Sequence, residues 1–319
     1  MYKVLIIGVG NIGYRYFEGM CKSPLDIEFF LVDKSETALE RASELYIKSG
    51  KRSRNLQTFT DLSFIEKDFD LGVIATPANV RVELLLKIMN EKNIRYMILE
   101  KVLTQSSEQL DTLLEMSQSF EKIWVNYPRR TWEFYNYLSK KLPTKISNVY
   151  SVSGSNWNLA SNALHFIDLV QFLSGSKLCE VSTVDLESNW HESRKGFVDI
   201  CGTLNCVFED NSELKLVSTS GNFTIKNDLV FEITNRNFKF EISETSDGIF
   251  GKFPNEEIVG NTELQSEMSS SLVTNILENG NCELPMLHDA EAAHRLFITA
   301  LMQHWNLTLN RNDSFLGIT

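Results

Sequence analysis

The stretch of residues 4–33 constrains the fold of this chain more than any other. It begins with a continuous apolar run, residues 4–7, which is typical of a strand buried on both faces of a parallel sheet. Glycines follow at once in the spacing Gly-x-Gly-x-x-Gly, then a helical pattern, then a second apolar strand that ends in Asp33. Strand, glycines, helix, strand and acid in this order, within about thirty residues, predict a dinucleotide-binding turn.

Each glycine of this turn has its own expected role. Gly8 permits the tight turn, Gly10 lets the backbone approach a pyrophosphate, and Gly13 lets the next helix pack close to the strand. That helix, predicted over residues 11–20, points its first amides, those of Asn11 and Ile12 among them, at the phosphates. A merely structural glycine-rich turn is the alternative, and the acid that follows at the right distance argues against it.

Asp33 sets the expected choice of cofactor. A carboxylate at the end of the second strand can accept hydrogen bonds from the hydroxyls of the adenine ribose. It would also repel the 2′-phosphate of NADP, so NAD is the predicted cofactor. Lys34 and Ser35 follow it and leave NADP possible.

The rest of the N-terminal half alternates strands and helices with short connections. Strands are predicted at 56–59, 71–77, 96–99 and 123–127, and helices at 35–46, 79–90 and 106–120. This alternation predicts an α/β fold, a Rossmann-type doubly wound parallel sheet over residues 1–125.

The pattern changes after Pro128. Strands that alternate apolar and polar residues are predicted at 149–153, 181–186, 198–208, 214–218 and 229–242, with helices at 131–141, 163–173 and 289–307. We therefore expect a second, α+β domain over residues 126–319, with a large, mostly antiparallel sheet. The nicotinamide is expected in the crevice between the two domains, beyond the carboxyl ends of the parallel strands.

Together these features resemble the glucose–fructose oxidoreductase/inositol dehydrogenase (Gfo/Idh/MocA) family of sugar-linked dehydrogenases, over nearly the whole chain. The resemblance rests on the glycine turn with Asp33, Thr76-Pro77, Glu100-Lys101, Arg130, residues 161–168 and Asp289-Ala290. In that family the lysine of a Glu-Lys-Pro motif and a histidine in Asp-x-Gly-x-His-x-x-Asp serve the chemistry. The resemblance implies Lys101 and His165 as catalytic residues. It also implies Thr76, Pro77, Glu100 and Lys101 at the cofactor, and Ser161 and Asp168 at the substrate.

The chain departs from the family pattern in four places. Val102 stands where the family usually has proline, and Arg81 where a histidine is frequent. Ser161 and Ala163 occupy the positions of the first acid and the glycine before His165. The change at Ser161 matters most, because the acid of the family helps to position or polarise the reacting hydroxyl.

Each candidate has a structural alternative. Lys101 could steady a developing alkoxide, or it could be an exposed lysine beside Glu100. His165 could take a hydroxyl proton, or it could be a helix histidine satisfied by Asp168. Arg130 could hold an anionic group of the substrate, or it could form a salt bridge at the interface between the two domains. Trp157 could stack on a sugar ring, and a core position is the commoner role of a tryptophan.

The composition excludes several classes of protein. The formal net charge is -11, which argues against nucleic-acid binding. Five cysteines, without a Cys-x-x-Cys pair, argue against a disulfide framework or a zinc knuckle. No apolar run is long enough to span a membrane, and the first strand leaves no room for a signal peptide, so we expect a cytoplasmic protein.

The primary functional prediction is an NAD(P)-dependent dehydrogenase or reductase of carbohydrate metabolism. It would transfer hydride to or from a carbinol or keto carbon of a sugar, a sugar derivative or a cyclitol. The alternative is an NAD-binding regulatory or partner protein without turnover, and a third possibility is a retained cofactor that oxidises and re-reduces one substrate. The antiparallel sheet predicts a homodimer or homotetramer joined through that sheet.

Overall fold

A computed structural model of the chain describes residues 1–50, 55–65, 68–143, 146–221, 228–254 and 256–319. Within these residues the chain forms two compact units. The first consists of Met1–Thr104, Glu108–Asn126 and Glu263–Leu287, and the second of Gln105–Ser107, Tyr127–Thr262 and His288–Thr319. Neither unit is one uninterrupted segment. The division into domains 1–125 and 126–319 stays a prediction.

The first unit is built on a six-stranded parallel sheet in the order β3-β2-β1-β4-β5-β6. Its strands are β1 (Tyr2–Ile7), β2 (Ile27–Val32), β3 (Leu56–Phe59), β4 (Asp68–Ile74), β5 (Asn93–Leu99) and β6 (Lys122–Val125). Its helices are α1 (Asn11–Met20), α2 (Glu36–Lys48), α3 (Ala78–Glu91), α4 (Ser107–Ser117) and, from much later in the chain, α7 (Gln265–Asn279). The predicted doubly wound parallel sheet is confirmed.

The core of this unit follows from strands that are buried on both faces. Val4, Leu5 and Ile6 are fully buried in the central strand, as their continuous apolar run predicts. On one face α1 packs against α7, and a Cβ added at Gly19 would lie 2.7 Å from the Cβ of Ser269. The small residues at this contact let the two helix backbones approach closely.

The second unit is built on a nine-stranded sheet in the order β15-β14-β13-β12-β7-β11-β10-β8, with β9 paired to β10. Its strands are β7 (Val149–Ser155), β8 (Leu178–Ser182), β9 (Leu186–Arg194), β10 (Phe197–Phe208), β11 (Glu213–Thr219), β12 (Leu229–Thr234), β13 (Lys239–Thr245), β14 (Gly248–Phe253) and β15 (Glu256–Gly260). The pairing of β7 with β11 is parallel, and the other described pairings are antiparallel. The predicted large, mostly antiparallel sheet is confirmed.

Helices of the second unit accompany this sheet. They are α5 (Glu133–Lys141), α6 (Leu159–Ser174) and α8 (Leu287–Leu309), and a short 3-10 helix (Pro128–Thr131) precedes α5. The residues of β10 alternate between buried and half-buried from Leu204 to Phe208, and α6 packs against β10 and β11. The side chains that this alternation directs inward therefore hold α6 on the sheet.

The structure corrects several predicted element boundaries. Residues 181–186 do not form one strand, because the chain turns between β8 and β9. Residues 229–242 are the hairpin β12-β13, turned at 235–238 where the Asn235 side chain accepts two backbone hydrogen bonds. The strands β14 and β15 and the helix α7 have no counterpart in the sequence prediction. Among the described residues, no helix is both long enough and apolar enough to span a membrane.

Candidate cofactor site and candidate active-site residues

The predicted cofactor residues of the first unit follow the carboxyl ends of parallel strands. Gly8 follows β1, Asp33 follows β2, Thr76 lies just beyond β4, and Glu100 follows β5. Because β1 lies between β2 and β4, and β4 next to β5, these residues share one edge of the sheet. That edge is where open α/β sheets bind their ligands.

The three glycines of the turn have different surroundings. Gly8 has φ +86°, and a Cβ there would lie 2.9 Å from Cγ2 of Thr76. At Gly13 a Cβ would lie 1.8 Å from the carbonyl oxygen of Gly8, so the helix can pack this close only without a side chain. At Gly10 a Cβ would meet nothing within 4 Å. Two glycines are thus required by packing, and the third borders open space.

The start of α1 suits an anion. Gly10 is its N-cap and supplies no side chain to the helix, and the first turn contains no acidic residue. The amides of Asn11, Ile12 and Gly13 belong to the group of first-turn N–H groups that have no partner inside a helix. Ile12 is 45% exposed. These features fit the diphosphate of a dinucleotide.

Asp33 is bound to the turn itself. Its Oδ2 accepts a hydrogen bond from the backbone N–H of Val9 at 2.6 Å, and its Oδ1 accepts one from that of Ser35 at 2.8 Å. Each carboxylate oxygen can accept a further hydrogen bond, so these contacts leave capacity for a ribose hydroxyl. The carboxylate connects the end of β2 to the glycine turn.

A buried arginine connects two of the loops at this edge. Arg81 of α3 has no exposed surface. Its guanidinium donates to the carbonyl oxygens of Thr76 at 2.6 Å, Leu103 at 2.9 Å and Val102. Pro77, the N-cap of α3, follows Thr76 directly. Arg81 therefore fixes the loop after β4 and the loop that contains Lys101 to one another.

Glu100 and Lys101 differ in environment although they are adjacent. Glu100 is buried and its Oε1 accepts a hydrogen bond from Nδ2 of Asn126 at 2.7 Å. Burial raises the pKa of Glu100, and the Asn126 hydrogen bond and the positive charges of Lys101 and Arg81 oppose that rise. Lys101 is half-buried, and the peptide bond between it and Val102 is cis. Glu100 is thus a buried residue, held by Asn126, directly before the candidate catalytic lysine.

The N-terminus of α6, in the second unit, is capped by a residue from another element. Asn158, at the N-cap position, is in the left-handed region with φ 57° and makes no side-chain cap. The carboxylate of Asp199, on β10, takes that role. It accepts from the backbone N–H of Ala160 at 2.8 Å and of Ser161 at 3.0 Å, and from Oγ of Ser161 at 2.8 Å.

The sequence prediction missed Asp199. The only signal for it is an acid inside an otherwise apolar strand, 198–201, where a side chain must face the core. Asp199 has no exposed surface, and burial raises its pKa against the hydrogen bonds that it accepts.

His165 and Asp168 lie on α6, one turn apart. His165 is half-buried, and its ring lies edge-on to that of Tyr127 with centroids 5.9 Å apart. Asp168 is buried and accepts two hydrogen bonds from Arg130, from Nε at 2.9 Å and Nη2 at 2.6 Å. Burial raises the pKa of Asp168 to about 6, although Arg130 acts against it. Asp168 is therefore engaged by Arg130 in this unit.

Arg130 and Trp157 were predicted at the substrate, and both have well-defined structural partners. Arg130 is held by Asp168 in a two-bond ion pair in which both side chains are largely buried. Trp157 is 4% exposed, donates from Nε1 to the carbonyl oxygen of Val217 at 2.9 Å, and packs edge-on against Phe166. The core position that the sequence left open for Trp157 accounts for its geometry, whereas the salt bridge of Arg130 lies within the second unit.

The sequence and the fold of this chain differ in what they match among known proteins. No family model and no curated protein matches the sequence. Many solved structures match the fold. A myo-inositol 2-dehydrogenase from Lactobacillus plantarum is 14% identical, with a TM-score of 0.66 over 98% of this chain and 99% of that one. An oxidoreductase from Agrobacterium radiobacter, in complex with NAD+, L-tartaric acid and magnesium, is 11% identical, with a TM-score of 0.69 over 96% of each chain.

A third match has a different described role. The transcriptional regulator Gal80p from Kluyveromyces lactis is 16% identical, with a TM-score of 0.71 over 96% of this chain and 92% of that one. Because these sequence identities are low, the matches show that the fold is shared and nothing more. The resemblance stated from the sequence is confirmed at that level: this chain has the fold of the Gfo/Idh/MocA-type oxidoreductases.

Proposed function

We propose that this protein is a nicotinamide-dependent oxidoreductase that transfers hydride to or from a carbinol or keto carbon. Its substrate is a sugar, a sugar derivative or a cyclitol, and its cofactor is NAD in preference to NADP. Lys101 and His165 act on the oxygen of the reacting carbon. Structural neighbours described as dehydrogenases and oxidoreductases support the reaction class.

The single observation that carries this proposal is the arrangement of the glycine turn. Gly8 and Gly13 are required by contacts inside the protein, but Gly10 faces space that a side chain would enter. The N-terminus of α1 without a side-chain cap and the Asp33 carboxylate border the same turn. A dinucleotide fits this set of groups: the diphosphate on the helix N-terminus and the adenosine ribose at Asp33.

Two residues of the chain then have chemical roles at the reacting carbon, His165 and Lys101. When bound, the nicotinamide supplies the acceptor or donor of the hydride. His165 takes the hydroxyl proton as a carbinol is oxidised, because an imidazole titrates near neutral pH. The ammonium group of Lys101 hydrogen-bonds the same oxygen and stabilises the negative charge that develops on it. In the reducing direction the protonated His165 returns this proton to the oxygen, while Lys101 keeps its hydrogen bond to that oxygen.

One observation favours a second candidate function, a nicotinamide-binding regulator without turnover. Ser161 replaces the acid that the family places before the histidine. A match to a transcriptional regulator, Gal80p, shares this fold. A cofactor site would then serve to sense NAD or to order a binding surface.

A turnover assay with NAD(H) and NADP(H) against a panel of sugars, sugar acids and cyclitols separates these functions. With an active substrate, Lys101→Ala and His165→Ala should each lower turnover at least about 10²-fold, since positioned acid–base groups contribute that much. The affinity for NAD should stay nearly unchanged. Cofactor retained through gel filtration, with turnover that needs no added NAD, would identify the third possibility, a cofactor that is oxidised and re-reduced in place.

Two variants serve as matched controls. Lys87→Ala removes a lysine of the same unit that pairs with Asp61 on the surface. His191→Ala removes a half-buried histidine of the second unit, on β9. Both should keep full turnover. Turnover of the true substrate by Lys101→Ala and His165→Ala at the normal rate would disprove the catalytic assignment, and NAD binding without any turnover would favour the regulator.

We also infer that the protein is a homodimer or homotetramer joined through the sheet of the second unit. The face of this sheet away from α6 is half-buried to exposed, and it mixes valines with polar residues, as Lys215 and Val217 of β11 illustrate. Light scattering at micromolar concentration tests this inference, and a monomeric mass would contradict it.

A further inference from the structure

The position of Asp199 is unusual for a helix cap, because the residue comes from a strand. Its two carboxylate oxygens accept hydrogen bonds from the N–H groups of Ala160, Ser161 and Ile200 and from the Ser161 hydroxyl, at 2.8 to 3.0 Å. No acidic residue lies in the first turn of α6 itself. A negative charge is therefore fixed at the start of α6 by β10.

Ser161 is also the position at which this chain lacks the acid of the family pattern. The hydroxyl of Ser161 lies 2.8 Å from Oδ2 of Asp199. The carboxylate is thus within one hydrogen bond of the side chain that replaces the acid. An acid from a distant strand thus contacts the side chain at the position where the family has its acid.

His165 is one helical turn after Ser161. Side chains on an α-helix lean toward its N-terminus, so the side chain of residue 165 lies over the turn that contains residue 161. The uncompensated amides at a helix start disfavour a protonated histidine near them. A carboxylate that is hydrogen-bonded to those amides instead favours the protonated form of a nearby histidine.

We propose that Asp199 is the positioning acid of this site, which replaces the missing acid at Ser161 and acts through the first turn of α6 on His165. This inference rests on the proposed function, in which His165 is the proton acceptor. Asp199 is not a catalytic residue, because it is buried and contacts the backbone and Ser161. Its charge makes His165 a better base.

Other charged and titratable groups of this unit lie near His165 or near its helix neighbour Asp168. Tyr127 faces its ring, and Asp168, on the same helix, is neutralised by Arg130. The negative charge of Asp289 contributes to the raised pKa of Asp168. None of these is altered by a substitution at Asp199.

The experiment measures the proton affinity of His165 by NMR titration of protein with ¹³C-labelled histidine. The resonance is assigned with His165→Gln. Asp199→Asn keeps an oxygen acceptor and is a good cap residue, but it removes the charge. Loss of a carboxylate charge that acts on the imidazole from beyond direct contact, in a partly buried site, predicts about a tenfold fall in the proton affinity of His165.

Asp210→Asn is the matched control. Asp210, at the turn between β10 and β11, also accepts from the N–H and the hydroxyl of one serine, Ser212, each at 3.0 Å. Its replacement should leave the proton affinity of His165 unchanged. If a turned-over substrate is known, Asp199→Asn should also lower kcat by roughly tenfold with the KM for cofactor unchanged, which a purely structural cap would not do.

A second comparison isolates the charge if Asp199→Asn does not fold. The double variants Ser161→Asp/Asp199→Asn and Ser161→Asn/Asp199→Asn differ by one charge at one position. The first should hold the His165 proton about tenfold more tightly than the second. An unchanged proton affinity in folded Asp199→Asn, or between the two double variants, would overturn the inference. Failure to find any substrate would count against the proposed function, while the NMR comparison would still decide the role of Asp199.

Discussion

The carboxylate of Asp33 accepts a hydrogen bond from the backbone N–H of Val9 at 2.6 Å. The acid that we predict to select the cofactor is therefore also hydrogen-bonded to the glycine turn that we propose binds it. Asp33→Ala removes both functions. We expect the affinity for NAD to fall about 10- to 100-fold, the loss typical of hydrogen bonds to a charged group.

The same variant should narrow the preference for NAD over NADP, because the repulsion of a 2′-phosphate is lost. Calorimetric titration of both cofactors measures the two effects. Glu36→Ala, which removes a nearby acid in the first turn of α2, is the control for net charge. Tighter binding of NADP than NAD to the unmodified protein would contradict the assignment of Asp33.

Gly10 and Gly13 should respond to alanine in opposite ways. A Cβ at Gly10 meets no atom within 4 Å, so Gly10→Ala should leave the melting temperature of the free protein nearly unchanged. It should weaken NAD binding by about tenfold or more, as inserted methyl groups do in close contacts. A stable variant that binds NAD normally would show that the space beside Gly10 is not the diphosphate site.

Gly13→Ala should instead impair the fold. Its Cβ would lie 1.8 Å from the Gly8 carbonyl oxygen, which is backbone and cannot move aside alone. We expect a lower melting temperature or poor recovery of folded protein before any cofactor is added. Differential scanning calorimetry of the two alanine variants, side by side, tests this contrast.

Arg81 should be needed for stability as well as for cofactor binding. Arg81→Met keeps most of the volume of the side chain but leaves the carbonyl oxygens of Thr76, Val102 and Leu103 without this donor. Unsatisfied buried groups predict a loss of about 3 kcal/mol or more in the free energy of unfolding. Urea unfolding measures it, with Arg15→Met, an exposed pair with Glu18, as a control that should not change it measurably.

The ion pair of Arg130 and Asp168 predicts that the stability of the fold depends on pH. The pKa of Asp168, about 6 in the folded protein, is above its ordinary value of 3.8. The folded protein thus takes up this proton before the unfolded chain does. The stabilisation from that proton is present at low pH and is lost as the pH rises through about 6.

Arg130→Met should therefore cost most when Asp168 is charged. We expect a loss of roughly 3–5 kcal/mol near neutral pH, as for a buried charge that loses its partner, and a smaller loss at about pH 5. Thermal unfolding across this range measures the difference, and Arg130→Met/Asp168→Leu should recover stability. An unchanged stability with a higher KM for the substrate would favour the substrate role of Arg130 instead.

The sequence predicted best where local pattern and fold agree. Strands buried on both faces, such as residues 4–7, have few alternatives to a parallel sheet, and the glycine spacing is explained by contacts at Gly8 and Gly13. The helix predicted at 11–20 has the observed bounds of α1. In this part of the chain each level of organisation favours the same structure.

The elements that were missed depend on distant partners. Helix α7 is rich in serine, and its buried face is defined by α1, whose Gly19 admits Ser266 and Ser269. Asp199 caps a helix that lies earlier in the chain, and Ser161 of that helix precedes Asp199 by 38 residues. Neither the packing of α7 on α1 nor the capping of α6 by Asp199 produces a pattern among residues close together in the sequence. Arg81 was noted as a departure, but only the three carbonyls around it explain why a buried guanidinium is tolerated there.

The late position of α7 has a consequence for the order in which the molecule can be completed. Leu272, Val273 and Ile276 belong to the same core cluster as Tyr16 and Phe17 of α1. A ribosome makes the glycine turn first, but it must synthesise almost the entire chain before the apolar surface of α1 acquires its cover. The first unit is thus begun early and completed late, and a fragment that ends after β6 would expose that surface to water and to other chains.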